Sequence, residues 1–292
     1  MIDPLVVAFG LGVGTLIGLT GIGGGSLMTP LLVLVIGVHP VVAVGTDLAY
    51  GAITKTVGGW RHLRSGVVDV GVSKWLAVGS VPGSVAGVVV VTVLHDRYGH
   101  GFDSTLLVLV AIALLVVAFS VLARVVFGTP REQHTVPMSG HEKAIAVAIG
   151  LVLGVVLGMT SVGSGALVGL ALIVVFRLTP HRVVGTDVFH AALMLWAAGL
   201  AHLAVGHVDL GLMANILAGS LPGVWLGSAL MPHVPTRALR LALGCTLLGS
   251  ALAVMTKAGV AFPTWTIVAI PALVGLLAAV MHRPRRPEAG TA

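Results

Sequence analysis

Long apolar runs separated by short polar stretches dominate the chain. Residues 106–122, 144–157 and 262–281 each reach or approach the ~20 apolar residues that a helix needs to cross a bilayer. The roughly ten-residue stretches of alternating polarity that are typical of membrane β-barrels do not occur in the sequence. Lipid offers backbone amides no partners, so only helices and closed barrels span it. The pattern therefore predicts an all-α polytopic membrane protein.

The apolar pattern divides into two sets of five segments and one further segment. The first five segments cover 4–20, 26–37, 40–63, 70–94 and 103–127. The second five cover 143–158, 165–178, 180–204, 209–231 and 236–256, and the last covers 262–281. We accordingly predict a first transmembrane repeat (1–127), a cytoplasmic linker (128–142), a second repeat (143–256) and a C-terminal helix with a basic tail (257–292).

The second set of segments is a copy of the first, because polar and glycine positions recur 140 residues later. The run from Val44 to Asp47 (VGTD) reappears from Val184 to Asp187. The whole match extends from about residue 10 to residue 87, which correspond to residues 150–227. Apolar bias alone would align leucines and valines but not these positions. Five segments per copy should invert the second copy in the membrane, which is a transporter architecture with its binding site near the midplane.

Loop charge predicts how the chain lies in the membrane. Arg61 and Arg64 follow the third segment, whereas the basic residues of the second copy, Arg237 and Arg240, follow the ninth. Positive loops stay on the cytoplasmic side, so this exchange fits an inverted second copy. We expect the N-terminus outside and the C-terminus in the cytoplasm. The net charge of +6 reflects such loops and does not indicate nucleic-acid binding.

Glycine-rich breaks precede the second and seventh segments, TGIGGGS in the first copy and TSVGSGA in the second. Twelve helical residues rise only ~18 Å, too little to cross a ~30 Å core. Short, glycine-interrupted segments at matching positions indicate a transporter's binding site, where helix N-termini favour an anion. Close packing or a hinge is the alternative, and re-entrant or spanning segments both fit. The predicted substrate-binding residues are Thr20, Gly23, Gly24, Gly25, Ser26, Thr46, Thr160, Gly163, Ser164, Gly165 and Thr186.

Three charged residues lie inside apolar segments and are predicted to couple transport to protons or to another cation. A carboxylate within a membrane helix is costly and is a functional hypothesis by default. Asp47 and Asp187 each follow Gly-Thr, so capping of a helix break after that glycine is the alternative. Lys55 lies two turns beyond Asp47 and is expected either to pair with a carboxylate or attract the anion, or to extend towards the interface.

Composition excludes several other classes. The chain is 57% hydrophobic and 9% charged, and its one cysteine, Cys245, precludes a disulfide framework. A divalent metal-cation permease using Asp and His is the alternative function, although the histidines form no recognised ligand motif. A serine hydrolase would need Ser161 or Ser164 beside a histidine such as His190 or His202. The first copy has glycine at both serine positions, so we expect neither an enzyme nor a cofactor.

The duplicated combination of glycine-rich break, short apolar helix, GTD motif and G-S-x-P-G resembles the TauE/SafE sulfite exporter family over nearly the whole chain. The resemblance implies a secondary transporter of sulfite or an organosulfonate such as sulfoacetate, located in a prokaryotic cytoplasmic membrane. Ser164 replaces the middle glycine in the second copy, so the halves are expected to contribute unequally. The expected partners are the anion and the lipid bilayer, with protons and a second copy of the chain as further possibilities.

Overall fold

A computed structural model describes residues 3–20, 25–127, 138–230 and 233–281. Within these ranges the chain is helical and contains no β-strand. The all-α prediction is therefore confirmed. The first five helices are α1 (Pro4–Thr20), α2 (Gly25–Leu31), α3 (Pro40–Arg64), α4 (Val70–Tyr98) and α5 (His100–Phe127). The other six are α6 (Gly140–Thr160), α7 (Leu167–Val174), α8 (Pro180–Ala204), α9 (Leu210–Leu230), α10 (Thr236–Lys257) and α11 (Thr266–Met281).

Six of the described helices, α4, α5, α6, α8, α9 and α10, are long and apolar enough to cross a membrane. The helix α3 has 25 residues, which is also long enough, but it carries Asp47, Lys55, Arg61 and Arg64. Its neighbours shield the first two of these side chains, because Asp47 and Lys55 are both buried. The chain is thus a multi-pass membrane protein whose most polar long helix lies inside the bundle.

Two glycine-lined seams hold the halves of the chain together. Along α1, a Cβ at Gly10 or Gly14 would overlap the backbone of α9 at Ile216 or Ser220. Along α6, a Cβ at Gly154 would likewise overlap α4. Small residues let membrane helices approach closely, and each seam joins the first helix of one half to the fourth helix of the other.

The order of contacts fixes the direction of the helices. Successive glycines of α1 meet successive residues of α9, and those of α4 meet α6 in the same way, so both pairs run parallel. In contrast, Gly45 of α3 lies against His207 and Gly59 against Phe189, so α3 and α8 are antiparallel. The helices α3 and α8, which occupy matching places in the two predicted copies, therefore run in opposite directions.

Several helix boundaries differ from the predicted segments for local reasons. The helix α6 begins at Gly140 rather than 143, because Ser139 and Glu142 form a reciprocal capping box. The helix α2 ends at Leu31 and passes into a π-helical segment, Leu32–Ile36. The seventh segment contributes only the eight residues of α7. Helices α3 and α8 continue unbroken through Gly45 and Gly185, so neither Asp47 nor Asp187 caps a helix break.

Candidate functional site

The two breaks meet in the interior of the protein. A Cβ on Gly25, at the start of α2, would overlap the carbonyl oxygen of Ser161, which immediately follows α6. Gly163 and Gly165 adopt φ values of 115° and 112°, which glycine adopts without strain. Ser161 itself has φ of 58°. The second break is therefore a non-helical segment, and its contact with the first break leaves no room for a side chain at position 25.

Asp47 links both breaks to α3. Its Oδ2 atom accepts a hydrogen bond of 2.6 Å from the Thr29 hydroxyl in α2 and one of 2.9 Å from the Ser161 hydroxyl. All three side chains are buried. The Oδ1 atom of Asp47 has no hydrogen-bond partner among the described residues. A buried carboxylate with one satisfied oxygen is costly unless a proton, cation or donor completes it.

Lys55 is a buried cation in the same helix. Its side chain is 8% exposed, and its Nζ atom has no hydrogen-bond partner among the described residues. The ammonium interacts electrostatically with the carboxylates of Asp187 and Asp47. Lys55 is thus buried rather than extended towards the interface, and its pairing with a carboxylate or an anion stays a prediction.

The two intramembrane carboxylates lie at different depths. Because Gly59 packs against Phe189 and Gly199 against Ala49, Asp187 is level with the C-terminal end of α3, which is predicted to be cytoplasmic. That offset of about 13 helical residues separates Asp47 from Asp187 by roughly 20 Å along the axis. They therefore flank Lys55 rather than share one site.

The two copies also surround their carboxylates differently. The position equivalent to Thr29 is Gly169, which has no hydroxyl to donate. Asp187 consequently lacks the counterpart of the 2.6 Å bond made by Asp47.

The predicted hydroxyl residues have different surroundings. Thr46 Oγ1 accepts the backbone N–H of Asp209, and Thr186 Oγ1 accepts that of Asp69, so both hold loops against the helix pair. Thr160 Oγ1 donates to Val156 in its own helix. These three oxygens have local partners and, given the offset of the halves, Thr46 and Thr186 do not face one common site.

Ser26 is the hydroxyl residue that remains unpartnered beside the breaks. Its side chain is 1% exposed, and Oγ has no hydrogen-bond partner among the described residues. Ser164, within the second break, is equally buried. Gly23, Gly24 and the Thr20 side chain lie outside the described part of the chain. The structure thus brings together Gly25, Ser26 and the second break.

The histidines weighed as catalytic partners contact other groups. His190 Nε2 lies 3.2 Å from Ser80 Oγ, and His202 Nε2 lies 3.1 Å from the Gly158 carbonyl oxygen. The Ser161 hydroxyl donates to Asp47 instead. No three His, Cys, Asp or Glu side chains in the described ranges converge as a metal site would require. The geometry does not assemble the residues that the hydrolase and metal-permease alternatives would use.

Sequence reasoning missed Thr29 and the role of Ser80. Thr29 interrupts the apolar run of the short second segment, and this was the available signal. Ser80 belongs to the duplicated G-S-x-P-G motif, and its equivalent, Ser220, lies beside Tyr50, the equivalent of His190. The serine of the motif therefore faces the same helix position in both halves, a pairing visible only once α4 and α9 are packed.

A cavity of about 810 Å³ opens at the end of the bundle where α3 ends and α8 begins. Helices α3, α8 and α9 contribute most of its lining, which extends along α3 from Thr54 to Ser65. Its polar and aromatic lining includes Thr54, Arg61, His62, His181, Trp225 and Ser228. The cavity therefore places one cationic side chain, Arg61, beside the helix that carries Lys55.

Comparison with known proteins agrees with this architecture. The family model described as "Sulfite exporter TauE/SafE" matches residues 6–254. The chain belongs to the TauE/SafE sulfite exporter family. A probable membrane transporter protein, YjnA, of Bacillus subtilis (strain 168) is 37% identical over 250 residues, which cover 85% of this chain and 97% of that protein.

Other relatives are more distant. The probable membrane transporter protein YdhB of the same organism is 24% identical, covering 83% of this chain and 95% of YdhB. A probable membrane transporter protein of Xylella fastidiosa (strain 9a5c) is 28% identical, covering 78% of this chain and 85% of its own length. No solved structure shows significant similarity to the chain. This TauE/SafE member is thus a membrane transporter, as its sequence predicts.

Proposed function

We propose that this protein is a secondary transporter that carries a small sulfur-containing oxyanion, sulfite or an organosulfonate such as sulfoacetate, across a prokaryotic cytoplasmic membrane. The observation that carries the proposal is the buried Lys55 ammonium without a hydrogen-bond partner in the described chain. A buried charge requires a counter-charge close enough to bond. A sulfonate or sulfite oxygen supplies one.

The second break supplies neutral donors on the path of the anion. Its glycines expose backbone at membrane depth, which is tolerated where the backbone lines a cavity. Ser26 adds a buried hydroxyl without a partner among the described residues, and α7 begins directly after the break at Leu167. The anion thus exchanges its hydration shell for donors that are already in place.

Asp47 is proposed to couple transport to protons. An ionised Asp47 would repel an anion bound nearby, whereas a protonated one would not. Because Asp47 bonds to α2 through Thr29 and to the second break through Ser161, its charge state bears directly on how these segments fit together. Coupled binding of anion and proton follows from this arrangement.

The cavity supports an orientation. It opens at the end that carries Arg61, Arg64 and Lys74, and basic loops remain in the cytoplasm. We therefore propose a conformation that is open towards the cytoplasm, with the N-terminus outside. Rocking of one half against the other would expose the breaks to the opposite side.

Flux measurements test the proposal with a matched pair of lysine variants. Radiolabelled sulfite and sulfoacetate are offered to proteoliposomes with and without a pH gradient, using the wild type, Lys55→Met and Lys74→Met. Both variants lose one charge, but Lys74 is exposed. We expect saturable, gradient-dependent flux that Lys55→Met reduces about tenfold or more, the equivalent of one strong bond to a charged group. Absence of flux for both anions, or equal effects of the two variants, overturns the proposal.

A further inference from the structure

A row of histidines closes the end of the bundle opposite the cavity. His39 at the start of α3 lies 2.8 Å from Asp103 through its Nε2, and its ring centroid is 5.4 Å from that of His95 in α4. The His95 ring is 6.1 Å from His207, which is 5.5 Å from His202. The row leads from half-buried His39 and His95 to His202, whose side chain is fully buried.

The inner pair of this row has a defined hydrogen-bonding direction. A carbonyl only accepts, so His202 Nε2 carries the proton that bonds to Gly158 at 3.1 Å. Neutral His202 therefore has a bare Nδ1. His207 Nδ1 lies 3.3 Å away and must be the donor. The pair ties the loop before α9 to the last turn of α6, three residues before Ser161.

We infer that the His202–His207 pair is a proton-operated latch on the outer side of the transporter, holding that side closed while at least one of the two rings is neutral. A proton arriving at His207 Nε2 lets the Nδ1 proton pass to His202, and one hydrogen bond between the rings remains. A second proton puts N–H groups on both Nδ1 atoms. They then repel, and the contact between the loop and α6 breaks.

The repeat provides an internal comparison. The position equivalent to His202 is His62, which is half-buried and lines the open cavity at the other end. His202 is thus buried, whereas its equivalent His62 is accessible from the cavity. This is the asymmetry expected of an alternating-access protein closed at the histidine row.

The surroundings of the latch favour its neutral form. Burial lowers the pKa of His207, the neighbouring His95 and His39 lower it further, and Asp96 opposes them. A lowered pKa means that the packed arrangement is most stable above the ordinary histidine pKa and weakens as the pH falls. Within the described ranges, the charged or titratable groups that surround the pair are His95 and Asp96 from α4, His39 just before α3, Asp103 from α5 and Asp209 from the loop.

Hydrogen exchange tests the latch without any substrate. The His207 amide bonds to the His202 carbonyl at 2.9 Å, so protection of residues 205–209 reports closure. His202→Gln keeps an amide donor for Gly158 but does not titrate, and His62→Gln makes the same change at the equivalent position. After correction for intrinsic exchange, we expect wild type and His62→Gln to lose protection about tenfold between about pH 8 and pH 5, and His202→Gln less than about twofold. A pH-independent wild type, or a His202→Gln variant that keeps the response, overturns the latch.

Transport separates this inference from the proposed function on which its coupling role rests. In proteoliposomes we expect His202→Gln to lose stimulation of sulfite flux by an acid outer side while keeping exchange at equal pH. Gradient-driven flux unchanged in His202→Gln overturns the latch and leaves the function standing. Wild type without flux of either anion, but with pH-dependent exchange, overturns the function and leaves the latch.

Discussion

At the scale of single residues, the interior is organised by polar groups that sequence position alone does not pair. Asp47 connects to residues 18 and 114 positions away through one oxygen atom. The same interior holds Lys55 without a hydrogen bond in the described chain. Buried polar groups normally find partners, and under the proposed function the anion and a proton complete these two.

The Thr29–Asp47 bond should contribute measurably to stability. Thr29→Val preserves the shape of the side chain but removes the donor of the 2.6 Å bond between two side chains that are each 1% exposed. We expect a loss of about 1–3 kcal/mol in the free energy of unfolding, the usual cost of an unmade buried bond. Thermal unfolding in detergent measures it. Thr29→Ser retains the donor and serves as the control, and a Thr29→Val protein as stable as wild type would contradict the assignment.

At the scale of elements, the breaks are defined by their contact as much as by their glycines. The loop that contains Ser161, Gly163 and Gly165 turns through backbone conformations with positive φ and ends against Gly25. The two short helices beyond the breaks have seven and eight residues. They are held by packing, since helices of this length are not stable alone.

Gly25→Ala tests the contact between the breaks. The added methyl group would overlap the Ser161 carbonyl oxygen, and we expect a destabilisation of about 1–3 kcal/mol together with reduced flux. Gly12→Ala in α1 is the matched control, because nothing lies within 4 Å of a Cβ there. It should be neutral or stabilising by about 0.5–1 kcal/mol. Equal unfolding temperatures for the two variants would show that the breaks do not touch.

The helices were largely predictable from sequence, and the contacts among polar residues were not. Apolar length and glycine punctuation locate α3 to within one residue at its C-terminal end, Arg64. The partner of Asp47 depends on where α2 packs, and no period along the chain contains that information. Thr46 illustrates the same limit, because its motif indicated a site hydroxyl whereas its oxygen accepts the Asp209 amide.

At the scale of the whole molecule, the two ends of the bundle differ although the sequence of the halves is related. One end has a cavity of about 810 Å³, and the other is packed around His202. Equivalent positions therefore occupy unequal environments within a single conformation. In transporters built from inverted repeats, this difference arises when two packing arrangements exist and the two halves adopt different ones.

Thiol labelling measures that asymmetry directly. Thr54 lines the cavity and its equivalent, Met194, is fully buried. In a Cys245→Ser background, we expect Thr54→Cys to react with a membrane-impermeant maleimide from the cytoplasmic side, and Met194→Cys to remain protected. Inside-out and right-side-out vesicles distinguish the sides. Equal reaction of both cysteines, or labelling of Thr54→Cys only from outside, would refute the proposed orientation.

The glycine seam between α1 and α9 also bears on how the protein is made. The first helix of this seam, α1, is complete at Thr20, and the second, α9, begins at Leu210, about 190 residues later. Translation adds about 5–20 residues per second, so α1 is present for roughly 10–40 s before synthesis of α9 begins. The small-residue stripe that later fits α9 is meanwhile free to meet lipid, insertion factors or another nascent chain. The seam therefore forms late in synthesis, when α9 packs against the helix that was made first.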